Sequence, residues 1–171
     1  GREGAPGSTP GLGVPDVEDI AERIQAIIKF RPPGGLVEKL QSLPQLMEIA
    51  SSFPKVVSSG ACQEVILKGD DIDLSALPVL TCWPLDGGPF ITFPMVFTRN
   101  PVTGKRNCGM YRMQVHDARS TGMHWQTQKQ GAEHYRRLQQ EGKETRMPVA
   151  VALGADPATM YSAILPLPPD L

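Results

Sequence analysis

From residue 89 to 99 the chain is apolar and rich in β-formers. It then turns at Asn100-Pro101-Val102-Thr103-Gly104 and returns with alternating character over 107–116. Asparagine, proline and glycine within five residues are strong turn chemistry, and β-type runs on either side of them read as an antiparallel hairpin. This pairing constrains the fold more than any other feature, because it demands a sheet and brings the outer strand ends to one rim. The rest of the chain is punctuated to match. Its 17 glycines and 17 prolines in 171 residues imply short elements joined by rigid turns, while an apolar content of 40% is too high for a disordered segment.

Around the hairpin the reading is α+β. Residues 1–15 are Gly/Pro-rich without periodicity and read as a flexible lead-in. Asp16 can cap a helix in which Ile20, Ile24, Ile27 and Ile28 recur at helical spacing, and Pro32-Pro33-Gly34-Gly35 stops it. Two further short helices are expected over 36–40 and 44–49. Together these make a helical segment over 16–60, a layer that covers the sheet domain over 61–171. Residues 64–68 read as a strand, 73–78 as a short capped turn and 131–140 as a helix carrying Tyr135 and Leu138. Residues 148–154 read as a strand too apolar to face water. Asp156 and Pro157 open a last helix as its N-cap and first residue.

Charge and cysteine usage exclude several function classes. Seventeen basic residues against eighteen acidic ones leave a formal charge of −1, without the basic excess of a nucleic-acid module. No apolar run approaches the roughly 20 residues of a membrane span. Cys62, Cys82 and Cys108 are widely spaced and odd in number, which fits reduced thiols in a cytoplasmic protein better than a disulfide framework or a zinc site.

Candidate chemistry concentrates in Arg106-Asn107-Cys108-Gly109-Met110-Tyr111-Arg112-Met113-Gln114 and Gly122-Met123-His124-Trp125. Arg112 either grips a phosphate or carboxylate through paired hydrogen bonds or forms an ion pair with Asp117 or Glu64. Asn107 either satisfies turn backbone or offers its amide oxygen to a hard cation. His124 and Trp125 are either a hydrogen-bonding group beside a flat apolar wall or a rim histidine beside a core tryptophan. Gln128, Lys129 and Gln130 precede a helix N-terminus, where an anion or plain solvent would sit. His116 and His134 read as surface or packing residues. Trp83 and the Gly87-Gly88 pair read as a rigid loop, and GxSxG, HExxH and Walker patterns are absent.

Taken in order, several blocks resemble the UbiD-type prenylated-FMN-dependent decarboxylases. They are Asp70-Asp71-Ile72-Asp73-Leu74 through Leu77-Pro78, Cys82-Trp83-Pro84, the Arg106–Gln114 and Gly122–Trp125 stretches, and Pro148-Val149-Ala150-Val151-Ala152-Leu153-Gly154-Ala155-Asp156-Pro157. The resemblance covers residues 16–171. It implies part of an FMN-binding split β-barrel behind the helical N-terminal layer. It also implies action on aromatic or α,β-unsaturated carboxylic acids, using prenylated FMN from a partner flavin prenyltransferase, Mn2+ or a similar divalent ion, and often K+. Carried over by position, Asn107 would bind the metal, and Met110, Tyr111 and Arg112 would line the cofactor, with Arg112 also holding the substrate carboxylate. His124, Trp125, Gln126, Lys129 and Gln130 would contact the cofactor.

Two departures bear on activity. Gln128 stands where many relatives carry a histidine, and the family's catalytic acid, in a Glu-Gly-Pro-type segment, has no counterpart before Leu171. The expectation is therefore a cofactor-binding segment of a longer, homo-oligomeric enzyme, inactive by itself. The alternatives are a non-catalytic assembly subunit and a plain FMN-binding redox domain.

Overall fold

The computed structural model describes residues 17–29, 43–51, 54–142 and 146–165. The lead-in over 1–15, the Asp16 cap, the Pro32-Pro33-Gly34-Gly35 stop and the helix over 36–40 lie outside the described residues. The chain divides into two compact units, Gly1–Ile66 and Leu67–Leu171.

The first unit contains helix α1, Val17–Lys29, and helix α2, Leu43–Ser51. Glu18 and Asp19 lie in the first turn of α1, where negative charge complements the helix dipole. The strand expected over 64–68 does not form. A single 3-10 turn, Ala61–Gln63, leads instead into irregular chain in which Val65 and Ile66 are 76% and 64% exposed. β-branched residues make a strand only when a neighbour accepts their backbone hydrogen bonds, and among the described residues none does so here.

The second unit holds the sheet structure. Its strands are β1, Phe90–Ile91; β2, Met95–Arg99; β3, Arg106–Met110; β4, Met113–Val115; β5, Thr121–Met123; and β6, Ala150–Ala152. They form two three-stranded antiparallel sheets, in the orders β1-β4-β5 and β3-β2-β6. The expected hairpin is the β2–β3 pair, closed as the turn chemistry demands. Asn100 Oδ1 accepts from the N–H groups of Val102 and Thr103, and Gly104 takes the left-handed φ of 73° that closes the loop.

The two long runs of the expected hairpin are each cut in two. Ile91 pairs with Met113 and Met95 with Met110, so Thr92, Phe93 and Pro94 on one strand face only Tyr111 and Arg112 on the other. Pro94 has no N–H for the ladder, and the extra residue kinks the pair as a bulge does. Each run thereby passes from one sheet to the other, and Tyr111 and Arg112 fall on the bend.

Helix α3, Gln130–Gln140, packs on β2 and β3. The core joins Val96, Tyr111 and Met113, with Ile91, Met123 and Trp125 packed against them. Helix α4, Pro157–Ser162, starts as expected, with the Asp156 side chain accepting from Thr159 N–H and Pro157 in the first turn. The carbonyl of Ala163, just past α4, accepts from Met110 N–H at the end of β3. The segment over 148–154 differs from expectation. Only Ala150–Ala152 forms a strand, at the outer edge of β2, and Val149, Val151 and Leu153 are exposed. Its apolar side chains do not by themselves supply a layer to cover them. Among the described residues, no helix is long and apolar enough to cross a membrane.

Candidate functional site

The β2–β3 register sorts the candidate residues by face. Asn107 lies directly opposite Thr98, and Gly109 opposite Val96, so these four share one face of the sheet, the one that α3 covers. Val96 and Thr98 are buried and Asn107 is half-buried. Met110 alternates to the opposite face beside Met95.

At the bend, the Tyr111 ring lies across Gly109. A Cβ on Gly109 would come within 2.4 Å of the Tyr111 hydroxyl and 2.6 Å of Cζ. The hydroxyl accepts from Gly131 N–H at 3.2 Å, which satisfies one of the free donors at the start of α3. Trp125 meets Tyr111 edge-on at 6.4 Å and Tyr135 at 6.0 Å with a 47° tilt. Gly131 is again the residue that permits this approach, since its Cβ would lie 2.9 Å from Trp125 Nε1. Two aromatic rings therefore clamp the first turn of α3 against the sheet.

Two buried atoms in this region, Asn107 Nδ2 and Trp125 Nε1, have no hydrogen-bond partner among the described residues. A buried donor left unpaired costs about 1–3 kcal/mol, so such atoms are few in folded proteins. Both atoms donate. The complement they lack is an acceptor, such as a phosphate, carboxylate or carbonyl oxygen.

The remaining candidates are more open. Arg112 is exposed, its guanidinium stacked 4.5 Å over the Phe90 ring. Asp117 does not pair with it and instead accepts from the Ser120 hydroxyl and from Arg119 N–H. The ion pair with Asp117 is thus not formed. The His124 side chain is exposed, while its N–H donates to the Arg112 carbonyl at 3.0 Å. Gln126 and Gln128 are exposed and bond each other, and Lys129 is the exposed N-cap residue of α3 with no capping bond from its side chain. Tyr111, Trp125 and Gln130 meet at the start of α3, and Asn107 lies on the strand face that α3 covers, opposite Thr98. Met110, Arg112, His124, Gln126 and Lys129 lie on other faces or in solvent.

One residue given no role by the sequence reading is central here. His134 is fully buried, its Nδ1 2.9 Å from Thr98 Oγ1 and its Nε2 3.3 Å from Gln130 Nε2. The signal was present, since Gly131, His134, Tyr135 and Leu138 follow the i, i+3, i+4, i+7 spacing of one helix face.

Four carboxyl groups are held below their ordinary values. Glu133 is lowered by hydrogen bonds from Arg137 and then Arg136, and Asp73 by Ser75. Asp117 is lowered first by the Ser120 hydroxyl, and Asp156 by Thr159. A depressed carboxyl stabilises the fold above its unfolded value and loses that contribution as pH falls through its folded value. The part of the thermal midpoint that these four carboxyls contribute should be constant from about pH 7 to about pH 5. It should then decline as the pH passes below the ordinary values of 4.5 for glutamate and 3.8 for aspartate. A midpoint that rose on acidification would contradict these contacts. All four shifts are downward, the opposite of what a general acid needs near neutral pH.

Fit to a metal and to a flavin differs. Among the described residues, no group of three His, Cys, Asp or Glu could hold a metal ion, and Asn107 offers one amide oxygen. The described residues therefore do not by themselves assemble a metal centre. Two buried donors without a protein acceptor, Trp125 Nε1 beside the first turn of α3 and Asn107 Nδ2 on the face that α3 covers, suit ligand oxygens.

Residues 55–171 match the family model of the 3-octaprenyl-4-hydroxybenzoate carboxy-lyase Rift-related domain, UbiD, and the chain belongs to this carboxy-lyase family. It is 45% identical over 157 residues to an uncharacterized protein of Archaeoglobus fulgidus, covering 92% of this chain and 31% of that one. It is 42% identical over 160 residues to one of Aquifex aeolicus, covering 94% and 32%. The chain thus spans a little under a third of the length of these relatives. Among solved structures, it is similar to the open form of vanillic acid decarboxylase from Sedimentibacter hydroxybenzoicus. The TM-score there is 0.55 at 29% identity, over 67% of this chain and 24% of the other. It is also similar to the UbiD-class enzyme HmfF of Pelotomaculum thermopropionicum in complex with FMN. The TM-score is 0.51 at 27% identity, over 55% and 21% of the two chains. Both likenesses agree with a mixed helix-and-sheet fold.

Proposed function

We propose that this chain is the flavin-holding segment of a longer UbiD-class decarboxylase acting on aromatic or α,β-unsaturated carboxylic acids. The observation that carries this reading is the pair of buried donors without a partner among the described residues, Asn107 Nδ2 and Trp125 Nε1, on the side of the sheet that α3 covers. It is supported by membership of the family and by likeness to a neighbour solved with FMN. On this reading the two antiparallel sheets are part of a split β-barrel. The cofactor is prenylated FMN, supplied by a flavin prenyltransferase to a cytoplasmic homo-oligomer. Bound there, it supplies an electron sink for the release of CO2.

This chain's own residues bind and orient. Asn107 and Trp125 donate to ligand oxygens and Tyr111 holds the first turn of α3 in place. Arg112, with no carboxylate partner among the described residues and steadied by Phe90, aligns the substrate carboxylate through its two-pronged donor set. In the longer protein Asn107 contributes one oxygen to a Mn2+ or K+ site whose acidic ligands come from elsewhere. The group that returns a proton to the product also lies elsewhere in the longer protein.

The test has two arms. FMN titrated into this chain should lose fluorescence or shift in absorbance saturably, with no decarboxylation by the chain alone. In the longer enzyme, Arg112→Ala should lower turnover by about a hundredfold or more, as expected when a reacting group loses its alignment. Full turnover by Arg112→Ala, or turnover by this segment alone, would be incompatible with the proposal. Reduction of bound FMN by a nicotinamide donor would favour a plain redox domain.

A further inference from the structure

We propose that His134 is a positioning residue for the ligand held at the start of α3, and that it acts by fixing which end of the Gln130 carboxamide the ligand meets. The inference rests on the flavin reading above and adds a group to it. His134 sits one turn into α3 with 0% of its surface exposed. Gln130 Nε2 lies 3.3 Å from His134 Nε2, and an amide nitrogen can only donate. His134 Nε2 must then be the acceptor, so the ring proton is on Nδ1, where it is donated to Thr98 Oγ1 at 2.9 Å. A ring protonated at both nitrogens would set N–H against N–H toward Gln130, so this arrangement calls for the neutral imidazole.

The consequence lies on the far side of Gln130. With its nitrogen turned to the ring, the carboxamide offers its other end, the acceptor Oε1, to a ligand. The opposite tautomer would reverse the amide and offer a donor. The site then has a mixed complement, in which Asn107 Nδ2 and Trp125 Nε1 donate while Gln130 Oε1 accepts. A phosphorylated polyol such as the ribityl phosphate of FMN brings both oxygens and hydroxyl donors, and it is the class this complement suits. The same ring also braces the strand side, because its partner Thr98 stands directly opposite Asn107 in the β2–β3 ladder. One imidazole therefore ties the Asn107 strand and the Gln130 helix turn into a single frame.

The tautomer can be read without any ligand, from the imidazole nitrogen shifts of the 15N-labelled chain. We expect the Nδ1–H form, and the Nε2–H form would overturn the proposal. Function is read by titrating FMN into the wild type, His134→Phe, Gln130→Ala and the double variant. Each single change should weaken FMN binding about tenfold, the size of one well-placed hydrogen bond, and the double variant should be little worse than either. Multiplying effects in the double variant would mean that His134 acts by packing alone, and the proposal would fall. If His134→Phe does not fold, His134→Asn takes its place, keeping a donor toward Thr98 and losing Gln130. A wild-type chain that binds no FMN sinks the flavin reading itself. Binding with the wrong tautomer or with independent effects sinks only the role of His134.

Discussion

Asn107→Leu should make the ligand-free chain more stable, by about 1 kcal/mol, while lowering its affinity for FMN at least about tenfold. The two effects have one cause. Asn107 Nδ2 is buried on the α3 side of β3 without a partner among the described residues, so the folded chain carries the desolvation cost of that donor. Leucine has a similar volume and branching and removes the donor without opening a cavity, a replacement that is neutral or stabilising when the polar group was unsatisfied. What is lost is the hydrogen bond that a ligand oxygen would accept. Stability gained together with binding lost is the signature of a group kept for function. Urea unfolding of the ligand-free chain and an FMN titration measure the two halves. A less stable variant with unchanged affinity would make Asn107 a structural residue and remove the main support for the flavin reading.

Gly109→Ala should destabilise the chain by about 3 kcal/mol, a large part of the roughly 5–15 kcal/mol that holds a typical domain together. No unusual backbone angle is involved, and the cost is steric. The added methyl would stand 2.4 Å from the Tyr111 hydroxyl and 2.6–2.7 Å from its ring carbons, and Tyr111 is 5% exposed with Trp125 against it. The ring cannot swing away without giving up its bond to Gly131 N–H and its place in the core. About 1–3 kcal/mol of overpacking and about 1 kcal/mol for the hydrogen bond make up the total. Chemical denaturation measures it, and FMN binding should fall in parallel because the first turn of α3 loses its clamp. Replacing Tyr111 with leucine in the same chain should recover part of the stability and none of the binding. A Gly109→Ala protein as stable as the parent would mean that the ring does not lie over β3.

Much of the fold was legible wherever local chemistry decided it. Asn100 and Gly104 specify their turn through a short side chain and a left-handed backbone angle, and Asp156 with Pro157 specifies a helix start. Each outcome depends on atoms within a few residues, and each appears in the structure. The site was half legible. The residue types around Asn107, Tyr111 and Trp125 suggested an anion pocket, and their family resemblance suggested its ligand. Which of them converge depended on strand register, because one step along β3 separates the face of Asn107 from that of Met110. The strand expected over 64–68 and the burial expected over 148–154 depend on a neighbouring surface, and no local pattern reports whether one is present.

By itself, then, the sequence determined a β2–β3 hairpin, capped helices and a family, because turn, cap and motif chemistry act over short distances. Only the tertiary structure decided that the hairpin breaks where Pro94 cannot donate, which puts Tyr111 over Gly109 and Arg112 at the surface. It also decided that His134, placed by spacing on one helix face, is buried between Thr98 and Gln130. Burial and hydrogen-bond partnership across 36 residues of chain are properties of packing, and they come into being only when the sheet and the helix meet.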